Sequence, residues 1–177
     1  MTTEILLAGF GGQGILFAGK QLAKTAMHEG KNVSWLPSYG PEMRGGSANC
    51  SVIISDNEIG SPIINRPDVL IAFNLPSFEK FESKIKEGGI LIANSSLIPE
   101  KSARTDIKAH YIPATAMADE NGLTGGANVI ILGYLLKLTG LFDYQEFVDL
   151  MVAGIPAAKT QLIENNKKAL KLGYDFE

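Results

Sequence analysis

The apolar residues fall in short blocks, most of them closed by glycine, proline or asparagine. Residues 4–10 (EILLAGF) are apolar almost without interruption, the pattern of a strand buried on both faces. Beyond a run of glycines the spacing changes. Ile15, Leu22 and Ala26 recur on one helical face and Lys20 and Lys24 on another, predicting a helix over about 14–29. Residues 32–36 (NVSWL) alternate and carry Val33 and Trp35, the pattern of a second strand. Strand, helix, strand in so short a span is the βαβ unit of an α/β fold.

The next stretch breaks the repeat. Residues 37–46 (PSYGPEMRGG) hold two prolines and three glycines, which leaves no room for a crossover helix. Residues 48–55 (ANCSVIIS) then read as a strand. Parallel neighbours need a connection of a dozen or more residues, so this strand is expected to run antiparallel or to pair elsewhere in a mixed sheet. Residues 56–68 read as loop, with SPII at 61–64 a candidate short strand. Residues 69–74 (VLIAFN) and 90–94 (ILIAN) are buried strands, and 109–113 (AHYIP) is a short late one. Phe78, Phe81 and Ile85 mark an amphipathic helix over 77–86, ended by Gly88 and Gly89. Residues 128–138 are helical and apolar nearly all round, so that helix is wholly buried or lies in an interface. Helices over 143–152 and 157–171 complete the chain. No internal repeat and no dividing linker is visible. The expected fold is a single three-layer α/β/α domain spanning 1–177. Its sheet is mixed and mostly parallel, with a Rossmann-like first βαβ unit.

Composition narrows the function. The chain has 177 residues, 45% hydrophobic and 20% charged, which suits one soluble domain with a real core. A net charge of −3 and the lack of a Lys/Arg run argue against nucleic acid as a partner. The single cysteine, Cys50, makes no intrachain disulfide, zinc finger or iron–sulfur cluster. The first residues lack the basic and apolar regions of a signal peptide, and no apolar run approaches the roughly 20 residues that span a bilayer. A cytoplasmic location without membrane partners is the expectation.

The leading chemical signal is Gly9-Phe10-Gly11-Gly12-Gln13-Gly14, a G-x-G-x-x-G placed between a strand and a helix. Glycines allow close backbone approach, and the helix start offers free N–H groups and partial positive charge. An anion or a carbonyl suits such a turn, and Gln13 adds an amide. The same residues also suit a tight strand–helix turn packed on a neighbour. A nicotinamide dinucleotide further needs a carboxylate at the end of the second strand. The residues there are Trp35, Leu36, Pro37 and Ser38; Glu29 lies too early and Glu42 too late. Gly14 to Lys20 has phosphate-loop spacing, but Gln21 stands where Ser or Thr should hold magnesium.

A second special segment, residues 38–46, sets Glu42, Met43 and Arg44 between Gly40-Pro41 and Gly45-Gly46. Arg44 suits a phosphate or carboxylate clamp, or equally an ion pair with Glu42 or a subunit contact. In a doubly wound sheet both loops would face one crevice. His28 fits a helix C-terminus and His110 a late strand, neither beside a nucleophile or acid. Cys50 reads as a small buried apolar residue. Asp119, Glu120 and Asn121 read as a cap or turn, and Asn128 as an N-cap.

Taken in order, ILLAGFGGQG, PSYGPEMRGGSANCSV, IGSP and PDVLIAFN resemble the gamma subunit of the 2-oxoacid:ferredoxin oxidoreductases. The GG-x-L-I-x-N-x-S pattern opening at Gly88 and the helix start at 128–133 extend the likeness to nearly the whole chain. The wording of PSYGPEMRGG is closest to the 2-oxoglutarate and branched-chain 2-oxoacid branches. The resemblance implies a complex that oxidatively decarboxylates a 2-oxoacid on thiamine diphosphate. Electrons pass through iron–sulfur clusters to ferredoxin, and coenzyme A takes the acyl group. It implies alpha, beta and delta partner subunits that hold thiamine diphosphate, magnesium and the clusters. This gamma-type chain, inactive alone and with no tightly bound cofactor, would give assembly contacts and access for coenzyme A. The residues so implicated are Gly9, Gly11, Gly12, Gln13, Gly14, Arg44, Gly45 and Gly46, with no catalytic or metal-binding residue. Two other readings stay open: a stand-alone nucleotide-binding oxidoreductase, and a beta-type subunit of an indolepyruvate oxidoreductase.

Overall fold

A computed structural model describes residues 1–39 and 47–177. They form two compact units, Met1–Ile112 and Pro113–Glu177. The first contains a six-stranded sheet, with strands β1 (Thr2–Phe10), β2 (Asn32–Tyr39), β3 (Ser47–Ser55), β4 (Val69–Ala72), β5 (Ile90–Asn94) and β6 (Lys108–Ile112) in the order β2-β3-β1-β4-β5-β6. Helices α1 (Ile15–His28) and α2 (Leu75–Phe81) belong to it, and a 3₁₀ turn at Glu82–Lys84 follows α2. The second unit holds α3 (Ala114–Glu120), α4 (Ala127–Thr139), α5 (Tyr144–Ala153) and α6 (Thr160–Tyr174).

The apolar blocks became the central strands. Ile5, Leu7 and Ala8 of β1, and Leu70, Ile71 and Ala72 of β4, are completely buried. β4 pairs in parallel with β1 and β5, and β5 with β6. β3 runs antiparallel to both β1 and β2, as the short connection required. The sheet is therefore mixed. The β1–α1–β2 crossover is present but split, because β3 lies between the two strands it joins.

Two local features depart from the sequence reading. β2 continues through Pro37 to Tyr39. Its position at the sheet edge explains this, since an edge strand tolerates a missing N–H. Residues 61–64 form no strand. The β5–β6 connection crosses without a helix. Arg104 takes its place, donating from Nη1 to the Glu82 and Ile85 carbonyls (2.9 and 3.0 Å) and from Nε to Asp106 (2.9 Å). Ile98 and Ile107 of that connection fill the core beside Leu70, Leu91 and Phe78.

In the second unit, α4 is buried along its whole apolar stretch, from Asn128 to Leu136, and crosses α6 closely. α3 has no clear signature in the sequence pattern. Asp119 and Glu120 are its last residues, and Asn121 caps it, donating from Nδ2 to the Met117 carbonyl (2.9 Å). Asn128 is not an N-cap. Gly126 occupies that position, and Asn128 is a buried residue of the first helical turn.

Candidate functional site

The glycine-rich segment bridges the carboxyl end of β1 and the start of α1. Gly9 is still strand, paired with Ala48. Gly12 and Gly14 both have positive φ, 95° and 73°. This is the left-handed region that costs other residues about 1–2 kcal/mol. Gly14 is the N-cap of α1, and its carbonyl accepts the Ala18 N–H (3.0 Å). The first turn of α1 carries no acidic residue.

Gln13 does not point outward. Its Oε1 accepts from the Phe10 N–H (2.6 Å) and from Asn74 Nδ2 (3.2 Å), and its Nε2 donates to the Phe73 carbonyl (3.4 Å). Phe73 and Asn74 directly follow β4, the parallel neighbour of β1. Connections leave β1 toward β2 on one side and β4 lies on the other, so this is the switch point where open α/β sheets bind ligands. An amide bridge closes it here. Gly9 makes room for the bridge: a Cβ there would stand 2.5 Å from Gln13 Oε1 and 2.8 Å from Phe73 Cβ. At Gly12 a Cβ would meet nothing within 4 Å, and the residue is exposed. At Gly12 the turn thus presents exposed backbone.

Sequence spacing could not have found Asn74. It lies 61 residues from Gln13 and is almost fully buried. Its one local signal is its place before a Leu-Pro-Ser helix start, and its Oδ1 does cap α2 by accepting the Ser77 N–H (3.0 Å).

Arg44, Gly45 and Gly46, with Glu42, lie outside the described residues. The strand ends that bound this segment stand beside the turn, with Phe10 opposite Ser47 and Tyr39 opposite Ala48. The other candidates do not converge on it. His28 closes the far end of α1, about 20 Å away at 1.5 Å per residue. His110 sits on β6, three strands or about 14 Å across the sheet. Burial and the Lys108 charge both push it below its ordinary value. Cys50 is buried under α1, and burial pushes its thiol up to about 12. Among the described residues no group of three or more His, Cys, Asp or Glu is placed to hold a metal ion. No helix among them is long and apolar enough to cross a membrane.

The topology also bears on the dinucleotide reading. With β3 interposed, the end of β2 is two strand spacings, about 9–10 Å, from β1. A carboxylate there would stand one strand too far to hold a ribose seated on the Gly9–Gly14 turn. The site offers backbone donors, a helix start and a fixed shape. Its described residues include no acid, base or nucleophile.

The described residues thus define a mixed-sheet α/β domain with a backbone-lined turn at its switch point. The sequence profile of the pyruvate ferredoxin/flavodoxin oxidoreductase family matches residues 4–176, and the chain belongs to that family. It is 40% identical over 175 residues to ketoisovalerate oxidoreductase subunit VorA of Methanothermobacter marburgensis. That match covers 98% of this chain and 36% of VorA, so the chain spans about a third of that relative's length. It is 34% identical over 178 residues to 2-oxoglutarate synthase subunit KorC of Methanocaldococcus jannaschii, covering 99% of this chain and 94% of KorC. The crystal structure of a keto/oxoacid ferredoxin oxidoreductase gamma subunit from Geobacter sulfurreducens superposes with a TM-score of 0.86 at 29% identity, over 99% of this chain and 95% of that one.

Proposed function

We propose that this chain is the gamma subunit of a multisubunit 2-oxoacid:ferredoxin oxidoreductase in the cytoplasm, and that both of its units act together as one gamma-type domain. The observation that carries the reading is the near full-length match to KorC. Its partners are alpha, beta and delta subunits, and through them ferredoxin. Thiamine diphosphate, magnesium and the iron–sulfur clusters belong to those partners. A cluster needs several thiolates, and this sequence has one cysteine, buried and held protonated. When bound on its own subunit, thiamine diphosphate supplies the carbanion chemistry of decarboxylation. The role of this chain is assembly. The Gly9–Gly14 turn, with Arg44, Gly45 and Gly46, meets a neighbouring subunit, and bare glycine backbone permits close approach. A 2-oxoglutarate or branched-chain 2-oxoacid is the favoved substrate class, in keeping with the likeness to KorC and VorA.

One observation favours a second role for the same turn. The first turn of α1 carries no acidic residue, which suits an anion such as a coenzyme A phosphate. The subunit reading is tested on the native complex. Tagged chain, purified without oxygen from its own cell, should bring down the partner subunits. The complex should reduce viologen with 2-oxoglutarate, 2-oxoisovalerate, pyruvate or indolepyruvate only when coenzyme A is present. The preferred acid fixes the branch, and preference for indolepyruvate moves the chain to that related enzyme. A lone chain without partners or activity sinks the subunit reading and restores the stand-alone nucleotide-binding one.

A further inference from the structure

We propose that Asn74 is a positioning residue: with Gln13 it forms a latch of two side-chain amides that fixes the glycine turn in the shape a neighbouring subunit recognises. The proposal rests on the subunit reading above.

Both ends of the Asn74 amide are in use. Oδ1 caps α2 through the Ser77 N–H, and Nδ2 donates to Gln13 Oε1. Asn74 is almost fully buried, so an unmet donor there would carry a full desolvation cost. The turn itself is poorly determined by its own backbone. Among the described residues, the bond from the Gln13 N–H to the Phe10 carbonyl inside the turn is long at 3.3 Å, and two of the turn's residues are glycines at positive φ. Glycine leaves many conformations open, so side-chain bonds must select one. Gln13 supplies three, to Phe10, Phe73 and Asn74, and Gly9 keeps the space they need. The selected shape turns Gly12 outward into open space, where a partner can approach the peptide groups closely. Gln13 therefore contributes no chemistry to the partner. It transmits the position of Asn74, and hence of β4 and α2, to the exposed peptides.

Asn74→Asp tests this. A carboxylate keeps the helix cap but turns the donor facing Gln13 Oε1 into an acceptor. The hydrogen-bond partners of Asn74, Gln13 and Ser77, do not titrate, so any new pH dependence belongs to the introduced carboxyl. Two quantities are read. One is hydrogen exchange at the amides of residues 11–14 in the full chain. The other is the affinity of the full chain for its partner subunits at pH 8 and pH 5, always relative to wild type at the same pH. We expect exchange to quicken and affinity to fall at pH 8, each by roughly tenfold. Both should return toward wild type at pH 5, where the protonated carboxyl can donate to Gln13. Asn74→Ser also keeps a cap but cannot reach Gln13, so it should show a smaller loss that is the same at both pH values. It also carries the test if the carboxyl variant fails to fold. Unchanged exchange would show that no latch holds the turn. Faster exchange with unchanged affinity would show that the turn does not dock. A wild-type chain that binds no partner subunit, with exchange still altered in the variant, would overturn the subunit reading and the docking role with it.

Discussion

Gly133 on α4 and Gly173 on α6 each lie directly against the backbone of the other helix. A Cβ on Gly173 would stand 1.7 Å from the Ile130 carbonyl oxygen, and one on Gly133 2.0 Å from that of Leu170. The obstacles are peptide groups, so no side chain can move aside. The helices must separate instead. We expect Gly173→Ala and Gly133→Ala each to cost about 3 kcal/mol, the upper end for overpacking. Urea unfolding measures this, and a loss below about 1 kcal/mol would mean that the crossing can widen freely.

Gly9 and Gly12 should respond in opposite ways. Gly9→Ala drives a methyl group into Gln13 and Phe73, so it should destabilise the chain by about 1–3 kcal/mol and loosen the turn. Gly12→Ala meets no atom and bears only the cost of positive φ, about 1 kcal/mol. Its methyl group projects from the exposed face, so the larger effect should fall on binding to partner subunits. Thermal unfolding and a pull-down, run on both variants, separate the two. A Gly12→Ala chain that assembles normally would place the contact elsewhere.

At the amino end of the sheet, Lys86 Nζ bonds Glu4 Oε2 (2.6 Å) and Asp68 Oδ1 (3.0 Å), and Asp68 Oδ2 also accepts the Glu4 N–H (2.8 Å). Burial opposes the charge on Lys86, but the bonds to Glu4 and Asp68 outweigh it and raise the group above its ordinary 10.5. A raised ammonium stabilises the fold in full below 10.5, and the contribution fades as pH rises through the folded-state value. Lys86→Met should therefore flatten the alkaline limb of a stability profile between pH 9 and 12. The lysine is partly exposed, so the change should stay below about 1 kcal/mol. An unaltered limb would show that the triad adds nothing.

Cys50 Sγ lies under α1, where a Cβ on Gly19 would stand 2.3 Å from it. With its thiol pushed up to about 12, it should resist iodoacetamide at pH 8 in the folded chain and react once urea unfolds it. Mass spectrometry reads the modification. Rapid labelling of the folded chain would mean that α1 lifts from the sheet.

The sequence revealed what local chemistry controls. The glycines between strand and helix marked the turn, and the short connection before Ala48 already implied an antiparallel β3. What stayed hidden depends on placement across the chain. Asn74 looked like the end of a strand, because nothing in its neighbours points to Gln13. Pro37 looked like a strand end, because edge position is not encoded nearby. α3 escaped notice because its seven residues, ATAMADE, are too few to establish a helical period. Gln13 looked like a ligand group because an amide serves a scaffold and a ligand equally well.

The reversed strand also sets an order of events in synthesis. β1, α1, β2 and β3 all come from the first 55 residues, with nine register pairs between β1 and β3 and eight between β2 and β3. The β2–β3 pairs close loops of only 9 to 23 residues, whereas the pairing of β1 with β4 must wait for Val69. A nascent chain can therefore complete a three-stranded half-sheet early, with the far edge of β1 still bare. Until β4 is made, that apolar edge is the surface most open to mispairing with another chain.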